Sequence, residues 1–274
     1  MGCRRVSDVG KAPVLFVSHG SPLFALNPGH TGPALTQWAA AHAPAHRIKG
    51  VVLMSPHWMT PGGVAVMSTP KPRTWHDFGG FPDALYQLNY PAPGDPALAG
   101  LVLHMLHKAG VPTAADDQRP FDHGAWVPLR YLYPQADVPV VQISLPEGFS
   151  TADIYAVGQA LAPLRAQGIL LMASGSMTHN LYELRREEGP TEPYVTAFCT
   201  WVQQTLMAQD LPAMLDYRSR APHAVRAHPT DEHYLTVYFA LGAAGWGQSD
   251  GPLPQYISQE VVYGSLAMDA FSLP

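Results

Sequence analysis

Cysteine and charge are both scarce in this chain of 274 residues. Its two cysteines, Cys3 and Cys199, are too few for a disulfide framework, and neither stands in the spacing of a zinc knuckle. We therefore expect two free thiols in a reducing compartment, and a cytoplasmic protein. Charged residues make up 14% of the chain, against about 25% in an average domain. Together with 47% hydrophobic residues, this scarcity argues against disorder and favours a sizeable core.

The chain also lacks an excess of basic charge and a long apolar run. Its formal net charge is -5, which argues against the basic surface of a nucleic-acid-binding domain. The apolar runs are far shorter than the roughly 20 residues that a membrane-spanning helix needs. We expect neither nucleic acid nor a membrane as partner. Because the sequence shows no internal repeat and no clean linker, it predicts a single domain over residues 1–274. It makes no prediction of the oligomeric state.

Three apolar segments with the character of strands each lead to a histidine. Residues 14–18 precede His19, residues 51–56 precede His57, and residues 169–173 continue through residues 174–178, the first three of them small, to His179. Continuous apolar runs are typical of strands buried on both faces. With helical segments between them, they predict an α/β fold with a central, mostly parallel or mixed sheet flanked by helices. Ligands of such sheets bind beyond the carboxyl ends of the strands, so we expect a divalent metal there.

Apolar periodicity and turn signals predict the remaining elements. Strands are expected at residues 13–19, 50–57, 62–68, 139–145, 169–174 and 261–267, with 62–68 at an edge. Helices are expected at residues 32–43, 96–109, 151–166, 192–208 and 231–244, with Thr151 and Asp231 as N-caps. Residues 69–95 are rich in proline, glycine and aromatic side chains, and this long irregular stretch is interpreted as a lid or pocket wall.

Two histidines are candidates for proton transfer. His179 could be a metal ligand or a general base, since the imidazole pKa lies near neutrality. His123 stands just before a predicted helix whose N-cap is Asp122, and it could act there as a hydrogen-bond donor or acid. Ser176 is a rival nucleophile, but its surroundings lack the Gly-x-Ser-x-Gly elbow, which argues against a serine hydrolase.

The last cluster runs from His228 to His233 and resembles the zincin motif only superficially. Its two histidines are five residues apart instead of four, and Pro229 follows the first. We expect His228 before a helix and His233 within its first turn. Neighbouring residues on a helix point about 100° apart, so only one of Glu232 and His233 can reach the metal. His233 is the preferred ligand and Glu232 the alternative.

These segments together resemble the class III extradiol ring-cleavage dioxygenases, in particular those of the DOPA dioxygenase type. The resemblance extends in order over nearly the whole chain. The matching motifs are Ser18-His19-Gly20-Ser21-Pro22, Ser55-Pro56-His57-Trp58, Asp77-Phe78-Gly79-Gly80-Phe81-Pro82, Tyr90-Pro91-Ala92-Pro93-Gly94, Asp122-His123-Gly124, Ser174-Gly175-Ser176 with His179-Asn180-Leu181, His228-Pro229-Thr230-Asp231-Glu232-His233 and Tyr263-Gly264-Ser265-Leu266-Ala267-Met268.

The resemblance implies a metal-dependent enzyme that inserts both atoms of O2 into a catechol and releases a muconic semialdehyde. His19, His57 and His233 would bind the metal, His179 would be the acid/base residue, and His123 would assist at the substrate. Fe(II) would be the cofactor. In protocatechuate-type relatives the third ligand is a glutamate, so a set of three histidines departs from that pattern and would also suit Zn(II).

Candidate substrate contacts complete the predicted site. They are His228, Trp58, Phe78 and Arg226. The aromatic rings of Trp58 and Phe78, and likewise those of Phe81 and Trp126, could pack against a catechol. Core packing is an equally good interpretation of each. Arg226, like Arg119, could bind a substrate carboxylate through its guanidinium, or could be structural.

Two other functions fit the same residues. One is a zinc-dependent hydrolase, in which the histidines hold a metal that activates water. The other is a non-catalytic binding or signalling protein that uses this scaffold. The presence of His179 and His123 beside the three ligands argues against the second, since a scaffold needs no proton relay.

Overall fold

The computed structural model describes residues 11–185 and 189–274, so Cys3 lies outside the described residues. The strands are β1 (Val14–Ser18), β2 (Gly50–Pro61), β3 (Val64–Met67), β4 (Thr113–Asp116), β5 (Val140–Glu147), β6 (Ile169–Gly175), β7 (Gln255–Ser258), β8 (Val261–Val262), β9 (Leu266–Ala267) and β10 (Ala270–Leu273). The helices are α1 (Thr31–His42), α2 (Asp83–Tyr86), α3 (Pro96–Lys108), α4 (His123–Leu132), α5 (Thr151–Leu161), α6 (Pro193–Ala208), α7 (Leu211–Leu215), α8 (Tyr217–Arg220), α9 (Ala224–Ala227) and α10 (Glu232–Ala244).

A mixed sheet in the order β4-β3-β5-β2-β6-β1-β10-β7 forms the centre of the described chain. Its middle strands, β5, β2, β6 and β1, are all parallel. On the outer sides, β3 runs antiparallel to β5, and β10 runs antiparallel to β1. The predicted α/β fold, with a mostly parallel or mixed sheet flanked by helices, is confirmed.

Alternate side chains of the central strands enter two separate cores, as the pleat of a sheet requires. In β1, Val14 and Phe16 join the core that α5, α6 and α10 cover, whereas Leu15 and Val17 join the core beneath α1 and α4. The central strands are buried along almost their whole length. This explains why they appear in the sequence as continuous apolar runs.

A bulge in β2 brings His57 to the carboxyl edge of the sheet. The pairing of β2 with β5 passes from Ser55 opposite Ser144 directly to Met59 opposite Leu145. Residues 56–58 are therefore left without partners in β5 and leave the regular ladder. Since β1 and β6 end at the same edge, the strand ends that precede His19 and His179 lie beside this bulge.

Several predicted boundaries were wrong. Ser150, not Thr151, is the N-cap of α5, where it forms a reciprocal capping box with Asp153. That helix ends at Leu161 and continues as a 3-10 segment with Pro163 near its start, because proline has no amide hydrogen to donate. Asp231 does occupy the N-cap position of α10, but its side chain makes no capping hydrogen bond.

The strands outside the parallel centre were the least well predicted. The single strand expected at 261–267 is instead the short hairpin β8–β9, whose turn holds Tyr263 and Gly264 at positive φ. The edge position expected for 62–68 was wrong, since β4 pairs with the outer side of β3. Strands β4, β7 and β10 were not predicted. Across the described ranges, no helix has both the length and the apolar character needed to cross a membrane.

The aromatic segment 69–95 lies against the start of α4. The amide of Trp75 donates to the carbonyl of Phe121 over 2.8 Å, and the indole of Trp126 donates to the carbonyl of Trp75 over 3.0 Å. The ring of Phe78 packs near those of Phe81, Tyr86, His123 and Trp126. These contacts fix the segment beside the carboxyl edge of the sheet; its function as a lid stays a prediction.

Candidate metal centre

The three histidines predicted as ligands come together at the carboxyl edge of the sheet. One ring nitrogen from each of His19, His57 and His233 lies within 4.8 Å of those of the other two. The Nε2 atoms of His19 and His57 are 3.0 Å apart. All three residues are buried or nearly so. Three imidazoles from three different elements thus converge on one point.

The hydrogen bonds of His19 fix which of its nitrogens faces this point. Ser174 Oγ donates its hydrogen to the carbonyl of Gly124, so it accepts from His19 Nδ1 over 2.9 Å. With Nδ1 protonated, Nε2 of the neutral ring carries a lone pair. Ser174, at the end of β6, therefore orients His19, the candidate ligand that follows β1, as hydrogen-bond partners of metal-bound histidines commonly do.

His233 has the same arrangement. Its Nδ1 donates to Glu232 Oε1 over 2.9 Å, which leaves the lone pair of Nε2 facing the cluster. That Nε2 is buried and has no hydrogen-bond partner among the described residues. A buried acceptor without a partner is costly, and a bound cation would satisfy it.

A buried ion pair supports the bulge that carries His57. Arg119 donates to the carbonyl of His57 over 3.0 Å and to Asp122 Oδ2 over 2.8 Å. The other oxygen of Asp122 accepts from Ser55 Oγ, also over 2.8 Å, and from the amide of Ala125 at the start of α4. Asp122 is therefore the N-cap that the sequence predicted, and it also fixes the strand from which His57 projects.

The environment keeps these imidazoles neutral. Burial, reinforced by the neighbouring histidines, holds the pKa of His19 and of His233 well below the usual value. Burial and the proximity of His123 lower the pKa of His57 to about 4, against the opposing effect of nearby carboxylates. Because a metal binds the unprotonated nitrogen, these low pKa values favour a cation over a proton at neutral pH.

The donor set fits a divalent transition metal. Imidazole nitrogens suit iron, zinc, copper and nickel, and His19, His57 and His233 would hold such an ion. Within the described chain, Asp77 with His123 and Glu232 with His179 also come close enough to form ligand groups, each of which shares a histidine with the main cluster. Those carboxylates already accept hydrogen bonds from Nδ1 atoms, so the three Nε2 atoms form the best ligand set.

The two histidines predicted for proton transfer border this set. The ring centroid of His123 lies 4.0 Å from that of His57, and His179 stacks on His233 with 3.5 Å between centroids. Burial lowers the pKa of His179 to about 4. A neutral imidazole beside a metal site is able to accept a proton.

The sequence profile of the catalytic LigB subunit of aromatic ring-opening dioxygenases matches residues 13–264. The chain belongs to the LigB family. Enzymes of this family are metal-dependent aromatic ring-opening dioxygenases, so this protein is an extradiol-type ring-opening enzyme, and its histidine cluster can hold the metal. That agrees with the class predicted from the sequence.

Curated proteins similar to this LigB-family chain carry names of the same kind. One from Escherichia coli (strain K12), "4,5-DOPA dioxygenase extradiol", is 38% identical, with 94% of this chain and 93% of the relative covered. A protein of the same name from Beta vulgaris is 35% identical, with 84% and 86% covered. A crystal structure of an uncharacterized protein from Escherichia coli K12 superimposes with a TM-score of 0.79 at 28% identity, covering 96% of this chain and all of that one. None of these names favours a zinc hydrolase.

The predicted substrate contacts of this LigB-family chain are distributed unevenly around the cluster. Phe78 lies against His123, which borders the three-histidine cluster; the ring centroids are 5.7 Å apart and the rings meet edge-on. Trp58 is buried, with the guanidinium of Arg119 over its ring at 4.8 Å. Nη2 of Arg119 already donates to Asp122 and to the carbonyl of His57, which favours a structural role for this residue.

His228 and Arg226 have other partners. His228 is fully buried and bonds through Nε2 to the carbonyl of Met177, beneath the loop that carries His179. Arg226 forms a bidentate pair with Glu183 and stacks on Tyr194. A substrate carboxylate would have to displace Glu183 to reach this guanidinium. We therefore expect both residues to support the His179 loop.

Sequence reasoning missed two residues of the site. Ser174 orients His19, and Asp77 binds His123. Ser174 ends an apolar strand at the predicted site edge, and Asp77 is a lone acid in an aromatic segment. Both signals were visible, but the partner of each lies far away in the sequence.

Proposed function

We propose that this protein is an Fe(II)-dependent extradiol dioxygenase for a catechol that resembles L-DOPA, with a muconic semialdehyde as product. The observation that carries the proposal is the convergence of three histidine nitrogens, two of them with their second nitrogen bonded elsewhere, beside two further histidines. Relatives whose names state DOPA cleavage support the choice of substrate. A reducing cytoplasm, which we propose as the location, would keep iron ferrous.

His19, His57 and His233 would hold the iron, and His179 would start the reaction by removing a proton. The bound ion supplies the electron transfer to O2 that protein side chains cannot perform. His179 is neutral and stacked on His233, so it can accept a proton from a catechol hydroxyl. A deprotonated catechol is richer in electrons and reacts more readily.

His123 and Phe78 would act on the other side of the substrate. Nδ1 of His123 is bonded to Asp77, which leaves Nε2 for contact with the substrate or for proton return. The ring of Phe78 closes this side with an apolar wall that can pack against the catechol and exclude water.

The test is O2 uptake by protein loaded anaerobically with Fe(II), recorded together with absorbance for a yellow product. L-DOPA and protocatechuate are compared, with zinc-loaded protein as the control. We expect uptake with iron only, faster with L-DOPA, and a product whose mass shows both atoms of labelled O2. No uptake with any catechol, in protein shown to hold iron, would reject the proposal. Activity of the zinc form on an ester or amide would instead support hydrolysis.

A further inference from the structure

One carboxylate connects the aromatic segment 69–95 to two histidines of the metal centre. Oδ1 of Asp77 accepts two hydrogen bonds from His123, one from the backbone amide and one from Nδ1, each 2.9 Å long. Oδ2 of the same side chain lies 3.7 Å from Nδ1 of His57. Asp77 is itself largely buried. No other hydrogen bond within the described residues joins this segment to the histidine cluster.

The double contact restricts both the position and the protonation of His123. The bond to the backbone amide holds the carboxylate against the first residue of α4. From there, Oδ1 accepts the hydrogen of Nδ1. A neutral imidazole has only one N–H, so the Nδ1–H form leaves Nε2 as an acceptor. If the ring becomes protonated, the same geometry presents Nε2–H as a donor.

Asp77 is suited to this task because it stays ionised. Burial alone would raise its pKa, but the hydrogen bonds and charge of His123 outweigh that effect and lower the pKa below its usual value. An ionised carboxylate accepts a stronger hydrogen bond than a neutral group does, and it stabilises the imidazolium that forms after proton uptake.

The ring of His123 lies where the choice of protonated nitrogen affects the substrate. Its centroid lies 4.0 Å from the ring of His57 and 5.4 Å from the ring of His19. A substrate bound at a metal held by the three Nε2 atoms would therefore lie next to His123. The long distance from Asp77 to His57, in contrast, gives no hydrogen bond, so the metal ligand depends little on this carboxylate.

We propose that Asp77 is a positioning residue that holds His123 with Nδ1 protonated and so presents Nε2 to the reacting substrate. This inference rests on the proposed ring cleavage for its kinetic test alone. It predicts that Asp77 acts only through His123, and that the metal remains bound without it.

The kinetic test is a double-mutant cycle with Asp77→Asn and His123→Ala in the Fe(II)-loaded enzyme. Asp77→Asn alone should lower kcat by about 10²–10³-fold, within the range typical of proton-transfer groups, while KM changes by less than about threefold. In the His123→Ala background it should cause no further loss. Asp83→Asn, which changes an exposed acid of the same segment, should leave kcat unchanged. Additive losses, or wild-type kcat in Asp77→Asn, would overturn the proposal.

A second readout needs neither metal nor substrate. Long-range nitrogen–proton NMR spectra of isotope-labelled, metal-free protein distinguish the two imidazole tautomers, and the His123→Ala spectrum identifies the signals. We expect Nδ1–H for His123 in the wild type and a shift towards Nε2–H in Asp77→Asn. An unchanged tautomer would contradict the proposal. If the wild type cleaves no catechol, the proposed function fails, and this measurement still decides the role of Asp77.

Discussion

Glu232 Oε1 lies 2.9 Å from Nδ1 of its neighbour His233, so the two candidate ligands of α10 are bonded to each other. A helix turns these side chains about 100° apart, yet the glutamate folds back onto the histidine. The carboxylate thereby fixes the tautomer in which Nε2 of His233 is free to bind a metal. We therefore propose that both residues serve the same site, His233 as a ligand and Glu232 as the hydrogen-bond partner that orients it.

This relationship predicts unequal effects of removing the two side chains. His233→Ala should abolish stoichiometric metal binding because it removes one of the three proposed ligands. Glu232→Gln should weaken metal affinity by about 10–100-fold, as is usual for the hydrogen-bond partner of a ligand. Metal content and competition with a chelator would measure both. Glu183→Gln, which removes a carboxylate paired with Arg226, is the matched control. Metal retained by His233→Ala but lost from Glu232→Gln would identify Glu232 as the ligand.

Replacing His179 should separate metal binding from turnover. His179→Ala removes the imidazole stacked on His233 but none of the three Nε2 atoms that face each other. We expect the iron content to stay the same and kcat to fall by about 10²–10⁴-fold, the usual contribution of a general acid or base. Parallel measurements of bound iron and O2 uptake would test this. Substantial remaining activity would show that His179 does not transfer the proton.

Gly175 allows the end of β6 to touch the first turn of α10. A Cβ at this position would overlap the carbonyl oxygen of His233 and Oγ1 of Thr236. Gly175→Ala should therefore push the helix outward, lower the free energy of unfolding by about 1–3 kcal/mol and weaken metal binding. Urea denaturation and metal content would show both effects. Gly100→Ala in α3, where a Cβ meets nothing within 4 Å, should be neutral or stabilising.

Asp269 should make the folded state less stable as the pH rises. Burial raises its pKa to about 7, whereas an unfolded aspartate has a pKa of about 3.9. Between these values the folded protein holds a proton that the unfolded chain has released, so stability falls across this window and is constant above it.

The variant Asp269→Asn should lack this penalty. We expect a gain in unfolding free energy of up to about 4 kcal/mol near pH 8 that shrinks by more than half near pH 5. Denaturant unfolding at both pH values would measure the difference, with the exposed Asp250→Asn as control. A gain that is equal at the two pH values would mean that ionisation of Asp269 is not its cause.

The residues that local pattern could place were those next to buried strands or clear helix signals. His19 follows β1 directly, and an apolar run predicts both the strand and its end. Pro229 correctly separated His228 from the helix that carries His233. In such places the pattern of a few neighbouring residues determines the structure, so the sequence is informative by itself.

Features that depend on distant partners could not be predicted in this way. The bulge at His57 is defined by pairing with another strand, in which Leu145 lies opposite Met59 and residues 56–58 have no partner. Asp77 and His123 are 46 positions apart, and His19 and Ser174 are 155 apart. Strand β10 is a short segment whose pairing with β1 supplies its stability. Tertiary contacts determine the bulge, the two hydrogen bonds and strand β10, and local periodicity in the sequence does not predict such contacts.

The antiparallel pairing of β1 with β10 has a consequence for biosynthesis. Ser18, the residue before His19, gives both its amide and its hydroxyl hydrogen to the carbonyl of Asp269, 251 positions later. While the chain emerges from the ribosome, β1 remains without one of its two neighbours until residues 270–273 have been made. We therefore expect the strand that leads to His19 to be fully paired only after translation has passed β10, and a nascent chain that stalls earlier to expose an apolar strand edge to chaperones and to aggregation.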